Sequence, residues 1–394
     1  TPATPAISCW SFAIRKFISY CSLVICLAAC ASAPLPPRST LAPTPGRAAS
    51  ATPGRPARPT LLPSLTPPRL QNRTPDPTPT PAPVLRRLTS GGCCVNPFWS
   101  PDGSQVWFVD KPSDVQPSGI WGVPAAPGIG GGEPVFITDR LGLFSRDGLL
   151  VAYPEAGETI VERRADGGRW RTPAGGRAVS FSPDSAWIAW QTASSTVNFD
   201  RRIVEIWIAR VDGTEARSVA RLIGGGLAGW FPDSARLLVT GRESLESDPA
   251  LAVVDVATGA VTGLARADYL RGAVISPGGG WIAYQVAFSG DLEQDGLWVL
   301  PVGGEARRLR LFGAYQWRAE GRLLVVPLEA TGGSQRLVEV EAATGELSAL
   351  TDPRITPFRI AAGDWAVAPD GSRLVFVNAQ DRNLWLLELP PTVS

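Results

Sequence analysis

Five aspartates recur in similar surroundings: Asp102 in Ser-Pro-Asp-Gly, Asp147 in Ser-Arg-Asp-Gly, Asp184 and Asp233 in Pro-Asp-Ser, and Asp370 in Pro-Asp-Gly. Carboxylates can serve as general acid and base, as nucleophiles or as calcium ligands. A glycosidase needs two of them about 5 to 10 Å apart across one bond. Acids that recur once per repeat, at turn positions where Asp bonds its own backbone, are expected to shape turns instead. Asp291-Leu-Glu-Gln-Asp-Gly296 matches the opening of a calcium loop, but Val302 stands where the closing Glu belongs, so it is read as an ordinary loop. The chain has no His, which removes Ser-His-Asp and Cys-His relays and His-ligated zinc, and it has no Gly-x-Ser-x-Gly elbow. No catalytic residue, metal or cofactor is therefore expected.

Thiol chemistry divides into two places. Cys9, Cys21, Cys26 and Cys30 fall in the first 30 residues, which leaves only the neighbours Cys93 and Cys94 beyond them. Adjacent Cα atoms are about 3.8 Å apart, closer than ordinary disulfide geometry, so two thiols are the favoured state and a vicinal disulfide the competing one. With no Met in the chain, Thr1 to Ser8 are expected to come from a trimmed or misread start and carry no argument.

Arg15 and Lys16 precede a mostly apolar run of 13 residues, Phe17 to Ala29, which ends in small side chains before Cys30. A membrane span needs about 20 apolar residues, so the run has the layout of a signal peptide. Leu27-Ala-Ala-Cys30 resembles the lipobox of bacterial lipoproteins, which implies lipidation at Cys30. Residues 31 to 83 hold 16 Pro with almost no aromatic content, so a disordered Pro-rich linker is expected. Fully extended it would reach on the order of 160 Å.

From residue 84 the chain repeats. Marks at Asp102, Asp147, Asp184, Asp233, Gly278, Glu320 and Asp370 are spaced by 45, 37, 49, 45, 42 and 50 residues. That is the period of a four-stranded propeller blade. Each unit reads as an inner strand such as Val95 to Trp99, a Ser-Pro-Asp-Gly turn, and a second strand such as Val106 to Val109 or Trp187 to Trp190. A third strand such as Ile203 to Ile208 and an outer one such as Glu305 to Leu309 follow. The second strands are apolar at consecutive positions, as expected where both faces are buried. The last unit lacks an outer strand, and residues 84 to 89 resemble one. An all-β, seven-bladed propeller closed by an amino-terminal strand is expected, with six blades as second choice.

The Ser-Pro-Asp-Gly turn, the apolar strand after it, the Ile/Leu-Trp strand and the Gly-Gly turn resemble TolB-like propeller repeats over residues 84 to 394. The resemblance implies a propeller lacking the hydrolase domain that its peptidase members add, and it permits a protein or peptide partner in the cell envelope. The domains are thus a signal peptide (1–29), a lipid-anchored linker (30–83) and a propeller (84–394). Binding is expected on the loop face carrying Cys93, Cys94, residues 222 to 229, Asp268 to Arg271 and residues 351 to 364. The alternatives are a carbohydrate-active enzyme using carboxylates there, or an accessory or sensor domain.

A formal net charge of +1 hides a division. Residues 1 to 83 carry eight basic residues and one acid, which leaves 29 basic and 35 acidic residues beyond them. The linker suits an anionic membrane surface, and the acidic remainder should keep off nucleic acid. A monomeric, membrane-anchored extracytoplasmic protein is expected.

Overall fold

The computed structural model describes residues 83–126, 131–194, 198–266, 269–328 and 333–392. Cys30, the signal segment and residues 30 to 82 of the linker lie outside the described residues. Among the described residues every regular element is a β-strand except one 3-10 turn, Phe199–Arg201. Residues 95–138, 143–172, 270–309 and 313–349 each form a four-stranded antiparallel sheet whose strands pair in chain order.

The second strands explain how these sheets pack. Val106, Trp107 and Phe108 are buried at consecutive positions, as are Ile188 to Trp190, Ile282 to Tyr284 and Leu323 to Val325. Consecutive residues of a strand point to opposite faces, so each sheet is covered on both sides. Apolar clusters bridge successive sheets: Leu238 and Leu251 meet Ile282 and Tyr284, Ala283 and Leu297 meet Leu323 and Val325, and Leu324 and Val326 meet Leu374 and Phe376. The last sheet also meets the first, because Val375, Val377 and Leu386 share a cluster with Val106, Phe108 and Trp121.

Two departures from expectation concern loops. Residues 222 to 229 are not a loop but the middle of one 14-residue strand, Arg217–Trp230. Its first half pairs with Ile203–Arg210 and its second with Arg236–Arg242, which fuses residues 180–266 into one seven-stranded sheet. Gly224 and Gly225 have φ of +68° and +61°, and a Cβ on Gly225 would lie 2.1 Å from the Thr240 carbonyl oxygen. Only glycine lets the strand bend there without losing its ladder. The connection expected at 351 to 364 is shorter, because the strand Ile360–Val367 takes its last five residues.

The last sheet is assembled from both ends of the described chain. Leu85–Arg87 pairs antiparallel with Leu384–Glu388, with Leu85 opposite Leu387, and becomes the fourth strand beside Ile360–Val367 and Arg373–Asn378. Thr89 extends the join: its Oγ1 accepts from Leu384 N at 2.9 Å in buried surroundings.

Candidate functional site

The five repeated aspartates each close a turn of their own. Ser100 Oγ donates to Asp102 Oδ1 at 2.6 Å and accepts from Gln105 N at 2.9 Å, while Ser104 N donates to the same carboxylate at 3.0 Å. Ser145 with Asp147 and Ser182 with Asp184 repeat the pattern. Asp233 and Asp370 keep the bond from the backbone two residues on, and their second donors are Arg236 and Ser372. A carboxylate so occupied is a turn former, not a base facing a ligand.

These bonds hold the carboxyls below their ordinary range. For Asp102 the Ser100 hydroxyl is the largest cause. For Asp147, Asp184, Asp233 and Asp370, burial pulls upward, and the hydrogen bonds outweigh it. A depressed folded-state pKa contributes stability that is present above the unfolded value of about 3.9 and is lost as pH falls through the folded values. The melting temperature should therefore hold steady down to about pH 4 and fall steeply below it. A flat profile to pH 2 would show that the turns do not depend on ionised Asp.

Successive turns also touch. Ser185 bonds Asp147, and Ser234 Oγ accepts from Asp184 N at 3.0 Å. A Cβ on Gly148 would lie 2.5 Å from Pro101, and one on Gly279 2.9 Å from Pro232. Arg373 Nη2 donates to Gly103 O at 3.1 Å, linking the last turn to the first, and its guanidinium lies 4.7 Å from the Trp99 ring centre.

One turn borrows its acid. Ser276-Pro-Gly-Gly279 has Gly278 where the others have Asp, and Glu320 of the next repeat fills the gap. Its Oε1 accepts from Ser276 Oγ and Gly280 N, both at 3.0 Å, and its Oε2 from Gly278 N at 2.6 Å. Charge-assisted bonds of this kind contribute about 1–3 kcal/mol when part-buried, so Glu320→Ala should lower stability by about that much. Gly278→Asp alone should also destabilise, since its Cβ would meet Glu320 Oε2 at 2.7 Å. The double variant regenerates Ser-Pro-Asp-Gly and should recover most of the loss. Additive effects in a denaturant-melt cycle would refute the substitution of one acid for the other.

Cys93 and Cys94 are joined as a vicinal disulfide, the state that ranked second on spacing alone. Cys94, at φ +89°, is buried in the cluster shared by first and last sheets, and Cys93 N donates to Arg382 O at 2.8 Å. Cys93 also borders a hollow of about 500 Å³ with Thr89, Asp110 and Glu133. The calcium-like segment is occupied by itself. Asp295 accepts from Phe288 N, Ser289 N and Ser289 Oγ, and Asp291 from Glu293 N. Among the described residues no three Cys, Asp or Glu side chains converge as metal ligands.

Polar and aromatic side chains that take no part in the turns line a second hollow. A pocket of about 210 Å³ lies where the bent strand Arg217–Trp230 meets two loops that join second to third strands. Phe199, Asp200, Arg242, Tyr269 and Arg271 line it, with the backbone of Gly224 and Gly225 as its floor. The 3-10 turn presents Phe199, and the bend positions the glycines. Phe199 is 41% exposed and Tyr269 47%, high values for aromatic rings in a concavity. Arg202 stacks on Phe199 at 4.1 Å and Arg271 stands 5.7 Å from the same ring centre. Arg242 Nη2 donates to Asp200 O at 3.2 Å. Tyr269, Arg271 and the glycines fall in segments singled out on the sequence. Phe199, Asp200 and Arg242 do not: the first two lie in the 3-10 turn outside the repeated pattern, and Arg242 is the last residue of the strand Arg236–Arg242. Asp268 lies outside the described residues.

Stacked four-stranded antiparallel sheets, repeated along the chain and joined edge to core in order, define a β-propeller. No protein-family model and no curated protein matches the sequence. Among solved structures, an oligogalacturonate lyase in complex with manganese is similar at 13% identity and a TM-score of 0.52, over 79% of this chain and 97% of that one. An oligogalacturonate lyase from Vibrio parahaemolyticus matches at 12% identity and 0.51, over 79% and 94%. A putative TolB from Agrobacterium tumefaciens aligns over 78% of this chain and 97% of its own at 14% identity, but its TM-score of 0.38 carries no argument. At these identities the lyases show a shared fold and nothing about activity.

Proposed function

We propose that this chain is a non-enzymatic, seven-bladed propeller that binds an envelope protein, peptide or small ligand on its loop face, and is held outside the cytoplasm by lipid on Cys30. The count takes the seven-stranded sheet as two four-stranded blades that share Arg217–Trp230. Closure rests on Leu85–Arg87 as the outer strand of the last blade and on the belt of linked turns, which runs on from Arg373 to Gly103. The chain acts as a monomer.

The observation that carries the binding reading is the contrast between the two sets of polar groups. The repeated acids are tied up in turns, while the pocket offers two exposed rings and two half-buried guanidiniums, with Asp200 as the single carboxylate of its lining and no second acid to pair with it. A carbohydrate-active enzyme is the second reading, favoured by the exposed carboxylate of Asp200 in the pocket.

Capture from envelope extract with the wild-type chain and with Phe199→Ala/Tyr269→Asn tests the proposal. A partner retained by the first and lost by the second is expected. Turnover of glycan or peptide substrates that Asp200→Asn abolishes would replace binding with catalysis.

A further inference from the structure

Resting on the reading of this pocket as a binding site, we infer that its ligand is a small carboxylate carried on a hydroxylated ring. Three kinds of group converge there: guanidiniums, aromatic rings and one carboxylate. Arg242 and Arg271 line the pocket, and neither makes an ion pair among the described residues, in a region that is acidic overall. Their hydrogen bonds go to single backbone carbonyls, Asp200 O and Leu245 O for Arg242 and Leu270 O for Arg271, which leaves guanidinium donors for an anion. Arg202, stacked on Phe199, donates Nη2 to Gly225 O at 3.0 Å, has a buried Nε without a partner, and makes no ion pair among the described residues.

Charge alone would suit any anion, and the rings narrow it. Phe199 stays 41% exposed although Arg202 stacks on it, and Tyr269 is 47% exposed, which leaves aromatic surface against which a pyranose or an aromatic ring packs with low entropic cost. The Asp200 carboxylate has no hydrogen-bond donor among the described residues, so it would accept from a ligand hydroxyl, and its charge disfavours a dianion such as phosphate about twice as strongly as a monoanion at the same distance. Size narrows it further. At about 210 Å³ the pocket is smaller than the roughly 300–1,000 Å³ typical of drug-sized sites, which suits one ring or the end of a chain. Gly224 and Gly225 keep the floor free of side chains.

The probes are glucuronate for a sugar acid, 4-hydroxyphenylacetate for an aromatic acid, glucose for a neutral ring, and acetate and inorganic phosphate for bare anions. Titration calorimetry with saturation-transfer NMR on the full chain should show one of the two ring acids binding at least tenfold tighter than glucose, acetate or phosphate. Which acid wins identifies the source. Arg271→Gln and Arg242→Gln should each weaken binding at least tenfold with an unchanged melting temperature, and Tyr269→Asn should do so for the ring acid without altering acetate binding. Equal binding of glucose, binding by phosphate alone, binding that survives both Arg variants, or no binding of either acid would overturn the inference. Where the ring acids fail but Phe199→Ala/Tyr269→Asn still abolishes partner capture, the ligand class falls and the binding reading stands. Where a ring acid is consumed, the binding reading falls.

Discussion

Deleting residues 84–89 is expected to destroy the single cooperative melt of the folded chain, or to lower its midpoint by more than about 10 °C. The segment is short, but it contributes three separate stabilising features. Leu85–Arg87 covers the edge of Leu384–Glu388, which would otherwise expose a row of unpaired backbone groups. Leu88 is 3% exposed and packs where the first and last sheets meet, a site at which Leu→Ala alone costs about 2–5 kcal/mol. Thr89 Oγ1 satisfies the buried N–H of Leu384, and losing that acceptor costs a further ~1–3 kcal/mol. The sum approaches the whole stability of a typical domain, about 5–15 kcal/mol. Leu88→Ala and Thr89→Val should each reproduce part of the loss. An unchanged melting temperature on deletion would mean that the blades hold together without the join.

The strand pattern was legible in the sequence because both of its determinants are local. Strands Val95–Trp99, Gln105–Asp110 and Gly296–Pro301 lie where consecutive apolar residues are bracketed by turn residues. Turn chemistry of the Ser-x-Asp-Gly kind is written in four adjacent residues. What stayed hidden depends on contacts between repeats. Residues 222 to 229 read as a loop because a run of glycines is the ordinary mark of one, and only the pairing of both halves with Ile203–Arg210 and Arg236–Arg242 makes them strand. Glu320 looked like a poor copy of the turn acid, although its carboxylate serves the turn 42 residues earlier. The pocket was half visible: Tyr269 and Arg271 sat in a marked segment, whereas Phe199, Asp200 and Arg242 carry no periodic signal at all.

The turn that contains Glu320 also gives the second large expectation. Arg318 stands where other repeats have the turn Ser or its equivalent, and it points inward. Its Nη1 donates to Glu339 Oε2 at 2.7 Å, its Nε to Gly371 O at 2.8 Å and its Nη2 to Pro390 O. The two charged side chains are 2% and 10% exposed. Arg318→Ala would leave the Glu339 carboxylate buried without a counter-charge, and breaking such a pair from one side costs about 3–5 kcal/mol. Removing both charges while keeping volume is far cheaper, so Arg318→Met/Glu339→Leu should recover most of that loss. The two carbonyls that Arg318 also serves, at Gly371 and Pro390, remain unpaired in the double variant, so recovery should stop short of wild type by about 1–2 kcal/mol. Denaturant midpoints of the wild type, Arg318→Ala and the double variant test this. A double variant no more stable than Arg318→Ala would move the cost from the buried charge to those carbonyls. Arg318 would then matter chiefly as the link from its own turn to the turn at Gly371, forward along the chain, as Glu320 is the link backward to Gly278.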